Sequence, residues 1–550
     1  MTKATPLTLR LAHINDLHSH FEPSALTLEL AGQQQAIQCG GIGLVSSALE
    51  KQRQRAEQDQ TPFLFLDAGD SFQGSLYFSL YKGEVNAVLQ NILAADATVL
   101  GNHEFDLGND YALRYINALT HPVMASNWDV SSLARKPHHL KSFDVQAQCG
   151  EYIVREFNGH RVAIMGITLD NMADIAHPSE KTPFLDVEKA LNAMISDAHR
   201  QNIFNIIVLS HLGYPRDLDL AKRVSGISVL IGGHTHTWQG DFSTVGLENS
   251  EPYGRRVADT LVFQASCNGY TLGVAELSFN ERGVATLIQG QNTLLVDEKS
   301  INEAQQSQLQ TLSCVALLQE DPRVTTALSP YRCAVDALMN QNIAKAQTLL
   351  RHIRVPTETL SSEVAPIVCD AFVWQANERG LKVDCAIHNA GGVRVDVAEG
   401  DLSAGEVAGR LLPFAIDVVR FEVKGKILKA ALEGAINNAI NRDEIGSGDG
   451  SYPYTSHLRY QYQRSKQKGQ RIVNLALYRN AEWQPIDDEG LYWVASSSYT
   501  ALGKEGYEAF LGACSKPESI GVTMADAFIA YAQQQSVLSA PTEQLVELIA

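Results

Sequence analysis

Five times in its first half the chain runs through a short apolar stretch and straight into a cluster of Asp, Asn and His. Leu9-Arg10-Leu11-Ala12-His13-Ile14 leads into N-D-L-H, and Phe63-Leu64-Phe65-Leu66 into D-A-G-D. Thr98-Val99-Leu100 leads into G-N-H-E, Ile206-Ile207-Val208-Leu209 into S-H-L-G, and Ser228-Val229-Leu230-Ile231 into G-G-H-T-H. Short continuous apolar runs predict strands buried on both faces. Helix-like stretches between them, at 84–95 and 186–200, make the alternation α/β. In such folds chemistry sits on loops at the carboxyl ends of strands, where all five clusters fall.

The clusters supply Asp16 and His18, Asp70, Asn102 and His103, His211, and His234 with His236. Hard divalent cations take carboxylate and amide oxygens, and borderline metals take imidazole. With His103 set aside, the set is sufficient for two divalent metal ions sharing one bridging carboxylate. Mn, Zn, Co and Mg are the candidates, and the donors do not choose among them. One D-x-H alone is an ordinary strand-end turn; five clusters in order, each behind a buried strand, are not. His13, His121, His138 and His139 lack that context and read as ordinary core or surface histidines. The G-x-G at Gly41–Gly43 reads as a helix-start turn, since no G-x-G-x-x-G follows a strand.

The order N-D-x-H, D-x-G-D, G-N-H-E-F-D, S-H-x-G and G-G-H-T-H resembles the calcineurin-like metallophosphoesterase superfamily. Its spacing and the second half of the chain resemble the 5′-nucleotidase family, over about residues 8 to 530. The resemblance implies an N-terminal metallophosphoesterase-type β-sandwich flanked by helices and a C-terminal α/β domain of 5′-nucleotidase type. It implies that Asp16, His18 and His236 hold one metal, that Asn102, His211 and His234 hold the other, and that Asp70 bridges them. It further implies that His103, paired with Asp106, stabilises the transition state and protonates the leaving oxygen. Glu104 reads as a structural hydrogen-bond partner. His236 stands where some nucleotidases carry Gln or Asn.

The expected reaction is two-metal-dependent hydrolysis of nucleotide phosphoesters by a metal-activated water. The alternative is a related enzyme acting on cyclic nucleotides, nucleotide sugars, dinucleotides or another ester. A catalytically silent binding module on the same scaffold would have lost donors, and none is lost here.

The second half carries N-A-G-G-V-R at 389–394, where glycines admit close backbone approach and Arg394 offers a planar fork for an anion. The resemblance places Asn389 and Arg394 on the phosphate or ribose, and Phe414 and Tyr499 on either face of the base. It places Glu505 on the ribose hydroxyls. One segment departs from the family: S-S-E-V-A-P-I-V precedes Cys369, where relatives usually carry E-x-N-L-G-N with an upstream Arg. Glu358 and Glu363 fall near those positions, so part of the phosphate clamp is missing or moved.

Length allows roughly two to four domains. The expected division is 1–315 as the metallophosphoesterase domain, 316–352 as a helical linker with a break near Asp321-Pro322, and 353–550 as the substrate-binding domain. The net charge of −18, from 44 basic and 62 acidic residues, disfavours nucleic-acid polymers and anionic membranes. It leaves a small nucleotide as substrate, because bound cations dominate a local field. No segment approaches the ~18 consecutive apolar residues of a membrane span. The N-terminus has no signal-type core, so the sequence as it stands reads as cytoplasmic, or as periplasmic had an export signal been removed. The eight cysteines form no C-x-x-C and read as mostly buried thiols.

Overall fold

The computed structural model describes residues 6–247, 251–357, 360–414, 416–440, 448–543 and 545–549. The chain divides into two compact units, Met1–Arg332 and Cys333–Ala550.

In the first unit the described strands form an eleven-stranded and a six-stranded sheet. The strand Leu7–Ile14 is buried on both faces except at Thr8, as its apolar run requires. Arg10, within that strand, is neutralised by Asp59 at 2.8 Å and by Glu276. The strand pairs in parallel with Phe63–Asp67, which pairs in parallel with Ala97–Val99. In the second sheet Asn205–His211 lies parallel to Val229–Ile231. Leu9, Leu11, Leu64, Leu66, Val99 and Met124 of one sheet share a core with Ile164, Ile207, Leu209, Ile231 and Phe263 of the other. The sheets therefore form a sandwich, and each strand's parallel pairing brings its carboxyl end level with its neighbour's. Helices Glu84–Leu93 and Val187–Arg200 occupy the stretches expected for them, and a helix starts at Ile42 directly after Gly40-Gly41.

Residues 316–352 contain the helix Pro322–Met339, within which the division between units falls, and the strand Asn342–Ala346. Asp321 stands at the start of that helix, its carboxylate accepting the Arg323 N–H at 2.8 Å.

The second unit is built on a five-stranded sheet in the order Pro453–Ser456, Cys385–Asn389, Leu491–Ser497, Asp417–Lys424, Glu518–Thr523. Helices Val364–Glu378, Gly425–Ile440 and Met524–Gln535 bury Phe372, Leu432 and Phe528 in a common core with Ile387, Phe421 and Val494. A four-stranded and a three-stranded sheet complete the described strands of this unit. Residues 441–447 lie outside the described residues; after them Asp449–Ser451 forms a single 3₁₀ turn. No helix among the described residues is long and apolar enough to cross a membrane.

The cysteines differ from expectation. Cys39, Cys369 and Cys385 are buried, Cys149, Cys267 and Cys314 are half-buried, and Cys333 and Cys514 are exposed. Apolar character alone does not tell a core thiol from one in a loop, and only the three on core elements are buried.

Candidate metal centre

The loops after the parallel strands are zipped together by their backbones. Asp16 N–H donates to Gly69 O at 2.8 Å, His18 N–H to Asp70 O at 3.0 Å, and Ser19 N–H to Ser71 O at 2.8 Å. Glu104 completes the weave from below. Its carboxylate accepts the N–H groups of Ser71 (2.8 Å), Phe72 (3.1 Å) and Gly101 (2.7 Å). It is buried, and desolvation followed by the charge of Asp70 pushes its carboxyl up to about 7. Glu104 is thus a structural clamp. Gly101 is required here because a Cβ would overlap the Asp70 carboxylate.

Among the described residues three donor groups result: Asp16, His18 and His236; His18, Asp70 and His103; and Asp70, His211 and His234. Within the first, Asp16 Oδ1 lies 3.7 Å from His18 Nε2 and 3.4 Å from His236 Nε2, and the two Nε2 atoms are 2.9 Å apart. Atoms each about 2.0–2.2 Å from one ion stand about 3–4 Å from one another, so these spacings fit a shared cation. The tautomers argue the same way. His18 donates Nδ1–H to Phe72 O at 3.1 Å, and His211 donates Nδ1–H to Ala68 O at 2.6 Å. Each ring therefore turns an Nε2 lone pair inward. The fully buried His211 Nε2 faces Asp70 Oδ2 at 2.9 Å without forming a hydrogen bond. A lone pair against a carboxylate calls for a cation between them. His234 Nδ1 lies 2.8 Å from Asn102 Oδ1, which brings the amide into the same group.

The backbone carries strain at this place. Asp16 (φ 52°), His18 (48°), Asp70 (53°), His234 (76°) and His236 (53°) all lie in the left-handed region. Such conformations cost about 1–3 kcal/mol each and concentrate at functional sites. His103 is half-buried at the edge of the cluster. Its Nδ1 is 2.6 Å from Asp106 Oδ2, which also accepts from Gln73 at 2.9 Å, and its backbone N–H donates to Asp70 at 2.9 Å. Desolvation works against the charged ring, but Asp106 and Asp70 outweigh it and raise the imidazole to about 10.

The histidines set aside from the site behave as structural groups. His13 is buried with Nε2 3.0 Å from Tyr253 Oη, and His121 is buried with Nε2 3.0 Å from Thr98 Oγ1.

The second unit gathers the remaining candidates on the loops around its central strands. Asn389 ends the strand Cys385–Asn389; its Nδ2 is 3.4 Å from Glu505 Oε2 and 3.5 Å from Gly450 O, and its Oδ1 accepts from Thr500 at 3.2 Å. The N-A-G-G and G-D-G loops touch through glycine: a Cβ on Gly391 would stand 3.2 Å from Gly450 O. Arg394 lies 5.6 Å over the Phe414 ring and donates to Gly391 O at 3.1 Å. Tyr499 is half-buried, and desolvation and Glu505 raise its hydroxyl above the usual phenol value. Sequence reasoning missed Arg354. It lies close enough to Arg394 to depress that guanidinium, after desolvation, and pairs with Asp449 at 2.9 Å. The R-H-I-R spacing at 351–354 was the available signal. Glu363 accepts the Arg351 N–H at 2.8 Å, while Glu358 lies outside the described residues.

A β-sandwich with Asp, Asn and His donors on its parallel strand ends defines a metal-dependent phosphoesterase, a hydrolase. The calcineurin-like phosphoesterase profile matches residues 9–238, and the 5′-nucleotidase C-terminal domain profile matches 342–512. The chain is 30% identical over 543 residues to a probable 5′-nucleotidase of Treponema pallidum, covering 92% of this chain and 88% of that protein. It is 26% identical over 578 residues to an NAD 5′-nucleotidase of Haemophilus influenzae, covering 98% and 92%. The crystal structure of a 5′-nucleotidase precursor from Thermus thermophilus superimposes with a TM-score of 0.74 at 30% identity, covering 99% of both chains. The chain belongs to the 5′-nucleotidase family, whose phosphoesterase domain implies divalent metal ions.

Proposed function

We propose that the chain hydrolyses nucleotide phosphoesters with two divalent ions, one held by Asp16, His18 and His236 and the other by Asn102, His211 and His234, with Asp70 between them. The observation that carries this reading is the shared membership of the donor groups: Asp70 and His18 each belong to two of the three. When bound, such ions supply charge neutralisation and an acidified water. The chain's own residues do the rest. His103, kept protonated by Asp106 and Asp70, is positioned to neutralise charge on a phosphoryl group and to donate a proton to the leaving oxygen. In the second unit Arg394 and Asn389 bind phosphate or ribose, Phe414 and Tyr499 flank the base, and Glu505 accepts from ribose hydroxyls. Arg354 supplies a cation beside Arg394, which offsets the absent upstream Arg of the family pattern.

In this reading residues 1–315 form the catalytic domain and 353–550 the substrate domain, with 316–352 joining them. A dinucleotide substrate is the second reading, favoured by the likeness to the relative named NAD 5′-nucleotidase.

The test is a substrate profile of purified protein with Mn²⁺, Zn²⁺, Co²⁺ and Mg²⁺. Nucleoside monophosphates turned over well above p-nitrophenyl phosphate support the reading. Cleavage of NAD in preference to monophosphates transfers it to the dinucleotide, and inactivity on every nucleotide rejects it.

A further inference from the structure

The strand Thr260–Phe263 is buried throughout and pairs in parallel with Val229–Ile231, the strand that leads into G-G-H-T-H. Ile231 stands opposite Phe263, so Gln264, the next residue, comes level with the start of that donor loop. Gln264 is fully buried, and its side-chain amide bonds to the loop three times. Its Nε2 donates to Gly233 O at 2.7 Å, and its Oε1 accepts from Thr235 Oγ1 at 3.1 Å and from the Thr237 N–H. The three contacts fall before His234, between His234 and His236, and after His236. Thr235 Oγ1 also accepts the Tyr214 N–H at 2.9 Å, which ties the end of the S-H-L-G loop to the same point. Gln264 is gripped from behind in turn. Its backbone N–H donates to Gln239 Oε1 at 3.0 Å, and its carbonyl accepts from Asn292 Nδ2 at 2.8 Å.

The loop needs an outside hold. His234 (φ 76°) and His236 (φ 53°) both adopt left-handed backbone, a strained conformation that persists only where the surroundings over-determine it. The two histidines also serve different donor groups: His236 stands with Asp16 and His18, and His234 with Asp70 and His211. A shift of this one loop therefore moves a donor of each group.

We infer that Gln264 is a positioning residue for both ends of the metal centre at once. By fixing the backbone on either side of His234 and His236, one amide sets the place of a donor in each group and couples the two ions. This inference rests on the metal-centre reading. That reading has its own independent support in the unpartnered, fully buried Nε2 of His211 aimed into the cluster.

The experiment is Co²⁺ titration of the chelator-stripped full-length chain, followed by optical absorption and by metal content after desalting. Loss of a hydrogen-bonding partner behind metal ligands typically costs 10–100-fold in affinity. Gln264→Met keeps the length of the side chain and removes all three bonds, so it should weaken both ion equivalents about tenfold or more. Asn127→Leu is the matched control. Asn127 is equally buried, and its amide makes three bonds to the backbone of Thr168 and Leu185 in the same unit. That variant should keep both equivalents. Weakening of one equivalent only, of neither, or of both to the same extent in the two variants overturns the inference. Thr235→Val asks the same question at an exposed position, without disturbing the interior. It removes one of the three bonds and should weaken both equivalents by a smaller factor; an unchanged affinity, or a change confined to one equivalent, overturns the inference. A parent that takes up no metal, indistinguishable from Asp16→Asn, instead rejects the metal-centre reading.

Discussion

The two units hold their functional residues in opposite ways. In the first, the donors sit on left-handed backbone and their loops are stitched by short hydrogen bonds. The carbonyls that fix the His18 and His211 rings, those of Phe72 and Ala68, belong to the same group of loops. In the second, the contacts are long and soft: 3.4 Å between Asn389 and Glu505, and a guanidinium 5.6 Å over the Phe414 ring. The difference suits the work proposed for each. Charge stabilisation requires groups fixed before the reaction, because reorganisation during it raises the barrier. Base stacking and ribose contacts tolerate movement, because every base presents a flat π-face. Left-handed backbone marks five of the seven metal-donor positions, Asp16, His18, Asp70, His234 and His236, and in the second unit it marks Glu505 (φ 51°).

The sharpest way to break this comparison is at Asp70, the carboxylate shared by two donor groups. Asp70→Asn keeps the size and the hydrogen bond from His103 N–H, but removes the charge. Its kcat/KM should fall by more than the roughly 10²–10³-fold that one lost hydrogen-bond donor costs. Circular dichroism should show the chain still folded. Near-normal turnover by such a protein would remove the basis for a bridging carboxylate.

His103 comes next. Positioned acid–base groups contribute roughly 10²–10⁴-fold, and less where the leaving group needs no proton. His103→Asn should therefore lose far more rate on a nucleoside monophosphate than on p-nitrophenyl phosphate, with metal content nearly unchanged. Equal losses on both would assign the ring a purely electrostatic role.

The second unit is predicted to respond differently. Phe414→Ala with Tyr499→Ala should raise KM for nucleotides and leave p-nitrophenyl phosphate nearly unaffected. Stacking worth about 1–3 kcal/mol per base corresponds to a rise of about 5- to 150-fold. A double variant that handles nucleotides as the parent does would dismiss the base-flanking assignment and move the substrate away from nucleotides.

The same contrast governs what was legible beforehand. The N-terminal donors were readable because each follows a strand buried on both faces, and a buried strand announces its own end. Asp16, Asp70, Asn102, His211 and His234 follow such runs directly, so residue type and position carried the inference together. Glu104 is readable as structural, but its four N–H partners, on Asp70, Ser71, Phe72 and Gly101, are not, since nothing local says which loops will meet. Arg354 lies in an irregular segment with no periodicity to mark it, and the R-H-I-R spacing is its one local signal. Cys267 was read as one of several apolar thiols. The loop around it is fixed by Asn268 and Ser266, whose N–H groups donate to the carbonyls of Asp16 and Thr237, some 250 and 30 residues away in sequence, and no local pattern encodes them. The elements were read well where burial sets the period, and the contacts between loops were not.

The smallest predicted effect concerns stability in the second unit and sharpens the contrast through a histidine that binds nothing. His388 precedes Asn389 in the central sheet and is 1% exposed; neither ring nitrogen has a hydrogen-bond partner. The ring meets Phe372 edge-on at 5.4 Å, and a Cβ on Gly392 would overlap it. Desolvation, then the neighbouring His352, depresses its pKa to about 3, against about 6.5 for an unfolded chain. Between those values the unfolded chain carries a proton that the folded chain refuses. Stability is then lost as pH falls below about 6.5, by up to about 1.4 kcal/mol per pH unit for this one group. Above pH 6.5 neither state is protonated, and the group contributes no pH dependence. His388→Leu retains an apolar filling for the site and cannot take up the proton. Urea melts of the second-unit transition at pH 7 and pH 5 should show a smaller drop for His388→Leu than for the parent, by up to about 2 kcal/mol over that interval. An equal drop in both would mean that the folded chain protonates His388 after all, and that the loop beside Asn389 is looser than its packing against Phe372 and Gly392 implies.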